Sequence, residues 1–261
     1  MNAFFNSTTA YDRFMGRFSV PLGPLFADFA GVAAGVRVID VGCGPGALTA
    51  ELAARCGAPN VAAADPSEAF VEAARERNPG VDVRQAPAEQ IPFVDDSFDL
   101  ALAQLVVHFM TDPVAGLREM ARVTRPGGVV AACVWDHHGG TSPLSPFWTA
   151  LEDFDPAAES ESNLAGAREG HLGELFRDAG IADVKESSLS VDVEFATFEE
   201  WWAPYELGVG PAGAYVAKLD DARRAALREL CRARMPEAPF TITGSAWAVR
   251  GSAGRGSELT S

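Results

Sequence analysis

The chain has 261 residues, 48% of them hydrophobic, which suits one large domain with a real core and excludes wholesale disorder. It carries 21 Lys+Arg against 36 Asp+Glu, a formal net charge of −15, so it repels phosphate backbones. No nucleic-acid partner is therefore expected, and a small-molecule partner is favoured.

From residue 36 to residue 135, apolar strand-like runs alternate with helical patterns. Residues 36–41 read as a buried strand ending in glycines. Residues 47–56 read as a helix with Leu48, Leu52 and Cys56 along one face. A second strand is expected at 61–64, a helix at 67–77 with Ser67 as its N-cap, a third strand at 81–86 and a fourth at 98–105. Asp112 and Pro113 open the next helix as N-cap and first helical residue, and Pro126-Gly127-Gly128 is expected to stop it. A fifth strand follows at 129–135. This alternation predicts right-handed βαβ units and a parallel sheet.

Residues 136–170 are rich in Ser, Pro, Gly and acids. A helix is expected at 171–179, a strand at 184–195, a helix at 220–235 and a last strand at 240–249. Arg224, Arg228 and Arg232 form a stripe on the 220–235 helix that reads most simply as a solvated face. Residues 141–170 are too long for a plain connector; a lid or substrate-facing insertion and an ordinary surface excursion account for them equally well. The expected organisation is one domain over 1–250, with its core at 30–136, substrate-facing insertions near 137–170 and 196–220, and a flexible tail at 251–261.

No apolar run is long enough to span a bilayer, and residues 1–17 lack the regions of a secretory signal, so no membrane partner is expected. Cys43, Cys56, Cys133 and Cys231 are scattered, without a CxxC, which predicts free thiols and a reducing cytoplasm. His108, His137, His138 and His171 have no zinc spacing, so no metal is expected.

The most informative segment is Asp40-Val41-Gly42-Cys43-Gly44-Pro45-Gly46, between the first strand and the first helix. Glycines at alternate positions there let a backbone approach a ligand. Gly42-x-Gly44-x-x-Ala47 also fits the dinucleotide fingerprint, with Asp65 near the distance of a ribose-binding acid. Asp40 discriminates: a carboxylate beside a pyrophosphate is costly, whereas a ligand carrying an ammonium gains from it. The pattern therefore favours S-adenosylmethionine (SAM) over NAD.

These residues resemble those of class I SAM-dependent methyltransferases of the small-molecule type, which include the ubiquinone and menaquinone C-methyltransferases. The resemblance covers roughly residues 36–136. Val38 to Gly46 come first, then Asp65-Pro66-Ser67, then Ala88-Glu89-Gln90-Ile91-Pro92-Phe93 with Asp96-Ser97-Phe98-Asp99, and finally Glu119 to Gly128. Tyr11-Asp12-Arg13-Phe14-Met15-Gly16-Arg17 is similar to the segment before the sheet in some members.

The resemblance implies an α/β, Rossmann-like seven-stranded sheet, mostly parallel, with an antiparallel edge and helices on both faces. It implies SAM as cofactor and methyl transfer to a small organic acceptor, releasing S-adenosylhomocysteine (SAH). Asp40, Gly42, Cys43, Gly44 and Gly46 would hold the methionine part. Asp65 would accept from both ribose hydroxyls, and Pro66 and Ser67 would flank the adenine. Ala88 and Glu89 would frame its edge, although Pro87 stands where many relatives carry an Asp. Gln104 and Leu105 would border the sulfonium. Tyr11 and Arg17 would close over the cofactor, with Arg17 on its carboxylate; packing of the N-terminal helix explains both residues as well. His108 is the candidate general base, competing with a role in capping. Trp135, Asp136, His137 and His138 fall on the same edge as candidate acceptor-pocket residues, while Trp201 and Trp202 read as packing or lid residues. An NAD(P)-dependent oxidoreductase, a non-catalytic SAM-binding regulator and a methyltransferase of protein or RNA remain as alternatives. A homodimer is left open.

Overall fold

The computed structural model describes residues 11–254. The predicted tail beyond Gly254 lies outside the described residues, as do the first ten residues of the chain.

A π-helical turn (Asp12–Gly16) leads into α1 (Arg17–Ala30). Then come β1 (Val38–Val41), α2 (Ala47–Cys56), β2 (Val61–Asp65), α3 (Glu68–Arg77), β3 (Asp82–Gln85), β4 (Phe98–Gln104), α4 (Pro113–Val123) and β5 (Thr124–Trp135). The remainder comprises α5 (Ser145–Phe154), α6 (His171–Asp178), β6 (Ala182–Phe195), α7 (Phe198–Trp202), α8 (Gly210–Lys218), α9 (Asp221–Arg234) and β7 (Phe240–Ser252).

Within the described residues the strands form one seven-stranded sheet in the order β3-β2-β1-β4-β5-β7-β6. β1 to β5 are parallel; β7 runs antiparallel to both β5 and β6. Every residue of β1 and β2 is buried, because helices cover both faces of this part of the sheet. α1 packs Phe18, Leu22, Phe26 and Ala30 inward against α2 and β6. Strand order reverses at β1, which pairs with β2 on one side and β4 on the other. The carboxyl ends of β1 and β4 therefore flank the crevice where open α/β sheets bind ligands. No helix among the described residues is long and apolar enough to cross a membrane.

The two N-caps expected from sequence form as read: Ser67 accepts from Phe70 N and Asp112 from Ala115 N. Pro126-Gly127-Gly128 does not stop a helix. α4 ends at Val123 because Thr124 turns extended (φ −93°, ψ 131°), and the Pro-Gly-Gly lies inside β5. Glycine is needed at residue 128, where a Cβ would lie 2.6 Å from Asp99 O. β7 also outruns its expected end: Gly251 pairs with Val130 and Ser252 with Val129, so the tail begins later than residue 251.

The segment after Trp135 holds a helix that sequence reading did not find. α5 buries Phe147, Trp148, Ala150 and Leu151. α7 and the helical turn Ala203–Leu207 add Trp201, Trp202 and Tyr205, all buried. Phe147 stacks on Tyr205 at 4.6 Å between ring centres, so Trp201 and Trp202 belong to an aromatic packing cluster. In the arginine stripe, Arg228 and Arg232 both pair with Glu199.

Candidate active site

The loop between β1 and α2 forms the floor of the crevice. Gly46 is the N-cap of α2 in a left-handed conformation (φ 91°), and a Cβ there would meet Asn78 Nδ2 at 2.4 Å. The buried Asn78 amide donates to Gly46 O and Ala74 O, tying the loop to α3. Arg77 donates to Pro45 O and is paired with Asp12 of the N-terminal turn. Above Gly44 the space is open, since a Cβ there would touch nothing within 4 Å.

Two buried carboxylates flank this floor. Asp65, at the end of β2, accepts from Gly44 N through Oδ2 and from Ser67 N through Oδ1, both at 2.9 Å. Burial raises its pKa, and the two backbone donors oppose that shift. Asp40 is buried on β1 and accepts from Thr49 Oγ1 at 2.6 Å. Burial pushes Asp40 up to about 7, opposed by Thr49 and reinforced by Asp65. Burial likewise holds the Cys43 thiol protonated, well above its usual range. A floor with two carboxylates suits a cationic ligand and disfavours a phosphate.

Asp40 has a consequence for stability. Its folded pKa lies above its unfolded one, so the folded chain keeps a proton that the unfolded chain has lost. Stability from this group is present below about pH 4 and drains away as pH rises towards 7. Asp40→Asn removes this titration. Its melting temperature relative to wild type is expected to rise between pH 4 and pH 8 in thermal melts; a gap independent of pH would show that Asp40 ionises freely in the fold.

The structure brings Tyr11, Asp40, Gly42, Cys43, Gly44, Gly46, Asp65, Pro66, Ser67 and Leu105 around the crevice. Tyr11 packs edge-on against Phe70 of α3 at 5.7 Å, and its hydroxyl is pushed up to about 12, mainly by burial and then by Asp65. Pro66 O accepts from Gln85, and Ala88 is buried in the turn Ala88–Gln90.

Three sequence-predicted residues are committed elsewhere. Arg17 donates to Glu200 Oε1 and Glu194 O, both at 2.7 Å, and lies over the Phe195 ring. It thus ties α1 to β6 and α7 and is not free for a ligand carboxylate. Glu89 Oε1 accepts from Thr111 N and Asp112 N, so it braces the approach to α4 rather than an adenine edge. Gln104 Nε2 donates to Ser19 O of α1, leaving its buried Oε1 without a partner.

Beside the crevice lies a cavity of about 40 Å³. Its walls include Tyr11, Leu105, His108, Trp135, His137 and Glu161. Leu105 adopts a left-handed conformation (φ 61°) at the turn out of β4, a strained position for leucine. His108 and His137 stand 5.9 Å apart between ring centres, and the Nδ1 atom of each is buried without a hydrogen-bond partner. Burial drives the His108 pKa well down, helped by His137, and lowers His137 to about 4. Both rings are therefore neutral near pH 7. Asp136 does not join them: it accepts from Gly139 N and Thr141 Oγ1 within its own turn. His138 is exposed. Glu161, which no sequence signal marks, is 4% exposed and accepts from Trp148 Nε1 at 3.1 Å. A larger groove, about 470 Å³, lies between α7 and α9, but its walls contain none of the predicted site residues.

Comparison with known proteins gives the site its context. A family described as a methyltransferase domain matches residues 39–132. The chain is 36% identical over 123 residues to an uncharacterized protein of Mycobacterium tuberculosis, covering 46% of this chain and 44% of that protein. It thus spans less than half the length of that relative. It is 31% identical over 204 residues to a demethylmenaquinone methyltransferase of Clavibacter sepedonicus, covering 70% of this chain and 77% of that protein. Among solved structures it is similar to a phosphoethanolamine N-methyltransferase of Haemonchus contortus in complex with phosphomonomethylethanolamine and SAH. That match has a TM-score of 0.57 and 16% identity, and covers 98% of this chain and 61% of the other. At that identity the likeness speaks for the fold.

Proposed function

The chain belongs to the SAM-dependent methyltransferase family, and from that premise we propose that it transfers the methyl group of SAM to a small organic acceptor, releasing SAH. The observation that carries this reading is the acidic floor: Asp40 and Asp65 beside a glycine loop that is open above Gly44. The residues fit the cofactor. Asp40, buried on β1 just before the glycine loop, would favour an ammonium held there, and Asp65 retains lone pairs for a ribose diol beyond the two it shares with Gly44 and Ser67. Arg77, near the loop, is already paired with Asp12, which leaves the floor without a counter-charge for a pyrophosphate.

SAM supplies a methyl carbon already activated by its sulfonium. What remains for the protein is alignment, which can supply several kcal/mol. Leu105 and Tyr11 line both the crevice and the cavity, and so set the line between donor and acceptor. The aromatic lining of Tyr11, Phe14, Phe109 and Trp135 supports an acceptor with a flat apolar body. At about 40 Å³ the cavity holds little more than a water. Acceptor admission therefore needs the N-terminal turn and residues 209–211 to part. The free thiols of Cys43, Cys56, Cys133 and Cys231 support a reducing cytoplasm as its place.

Calorimetric titration with SAM, SAH and NADH tests the reading. SAM and SAH are expected to bind at micromolar levels and NADH not to bind. Binding of NADH without SAM or SAH would replace the transferase by an oxidoreductase. Tight SAM binding with no SAH formed from any acceptor in a broad panel would point to a non-catalytic SAM-binding protein.

A further inference from the structure

Given the methyltransferase reading, on which this rests, we propose that Glu161 is a catalytic residue whose carboxylate takes the acceptor's proton as the methyl arrives. Glu161 lies in the short helical turn Glu161–Asn163, within the stretch that links α5 to α6. It shares the cavity with Leu105 and His108 from the exit of β4 and with His137 beyond β5. Its Oε2 is fixed by the Trp148 indole. Tyr11 closes the same cavity and reaches back to Phe70, next to the Asp65 end of the crevice. The carboxylate thus borders the space into which the methyl must be presented.

Charge selects among the proton acceptors in this cavity. His108, His137 and Glu161 can each take a proton there. A proton on either imidazole would place a second buried cation beside the sulfonium, and burial already holds both rings neutral. A proton on Glu161 removes an anion instead. The step balances: the acceptor's X–H bond breaks, its electron pair forms the X–CH₃ bond, and the electron pair of the S–CH₃ bond remains on sulfur. The proton goes to Glu161 and later to solvent. One cation and one anion are consumed together, leaving SAH and a carboxylic acid, both uncharged at the reacting atoms. In a buried site that cancellation favours the forward step. Burial lifts Glu161 to about 7, the range in which a general base works at neutral pH. The groups around it are Trp148 of α5, Tyr205 of the 203–207 turn, Tyr11, His108 and His137, none of them cationic near pH 7. The Tyr205 hydroxyl is itself pushed up, mainly by burial, with Cys231 and Glu161 adding to it.

Proton release on binding provides the test and needs no acceptor. SAM and SAH are titrated in buffers of different ionisation enthalpy at pH 7. Any proton lost from Asp40 to the ligand ammonium is common to both ligands and cancels in the difference; only SAM carries the sulfonium. Wild type is expected to release roughly half a proton more with SAM than with SAH, as a group of pKa near 7 becomes fully ionised. The difference should vanish in Glu161→Gln, whose amide keeps an acceptor for Trp148, and persist in Asp40→Asn and His108→Gln. In wild type alone it should grow as pH falls below 7, peak between the free and the SAM-bound pKa, and fade above pH 8, a readout that does not depend on any variant folding. Persistence of the difference in Glu161→Gln, or its absence from wild type that binds both ligands, overturns the proposal. Failure of wild type to bind either ligand is a different result and removes the methyltransferase reading itself.

Discussion

Asp65→Ala is expected to weaken binding of SAM and SAH by about 100-fold each, close to 3 kcal/mol. Two losses add. The first is the charge-assisted pair of bonds to the ribose diol, which an alanine cannot make. The second lies in the protein: Gly44 N and Ser67 N both donate to this carboxylate, and Asp65 is only 6% exposed. Without it the loop loses the bond that sets its height over β2, so the methionine end is disturbed together with the ribose end. Asp65→Asn keeps the shape but places a donor at one oxygen, opposite a backbone N–H. It is expected to fall between the two, about tenfold weaker than wild type. Calorimetry with SAH reads all three chains. An alanine variant within threefold of wild type would take Asp65 out of the site.

Gly42→Ala is expected to cost about 3 kcal/mol of stability and to lower the melting temperature by about 6–12 °C. Gly42 has φ +72°, and a Cβ there would lie 2.3 Å from Val106 Cγ2 and 2.7 Å from Val106 Cβ. Its N–H donates to Ala64 O at 2.7 Å, so the loop has little freedom to retreat. The penalty therefore has a steric part and a backbone part. Val106→Gly in the same chain removes all three Val106 contacts, including the Cβ that alanine would keep, and leaves the left-handed backbone, about 1–2 kcal/mol. A double-mutant cycle from thermal melts separates them. A single variant within about 1 kcal/mol of wild type would mean that the loop yields where the contacts say it cannot.

The glycine loop and Asp65 were legible in the sequence because they are local: a strand, a turn and a helix start are contiguous in the chain. Ser67 and Asp112 were legible for the same reason, each capping a helix within three residues. The resemblance places Arg17 and Glu89 at the cofactor, and nothing nearby in sequence shows what else holds them. Their partners, Glu194 and Glu200 for one and Thr111 and Asp112 for the other, arrive from distant segments. Pro126-Gly127-Gly128 has the composition of a helix stop, yet Thr124 has already ended the helix. Its glycines answer to Asp99 and Ala253 across the sheet, where Gly127 N donates to Ala253 O and Gly128 passes Asp99. α5 was hidden because its inward residues, Phe147, Trp148 and Leu151, follow a Ser- and Pro-rich start and gain their meaning from Tyr205 and Glu161. Glu161 carries no local mark: an acid among serines becomes unusual once Trp148 and the cavity wall enclose it.

The position of β7 bears on how the molecule is made. It is the last strand among the described residues, yet it lies between β5 and β6 and pairs with both. On a ribosome, which releases the amino-terminal part first, β6 emerges well before the strand that joins it to the sheet. Until residues 240–252 are free, the flank of β5 stays bare and the fourteen residues of β6 have no native strand partner. Lys185, Asp192 and Glu194 are exposed along β6. Charges so placed discourage pairing with another unfinished chain. At this side of the sheet, assembly runs against the order of synthesis, and β6 joins the sheet through a strand made after it.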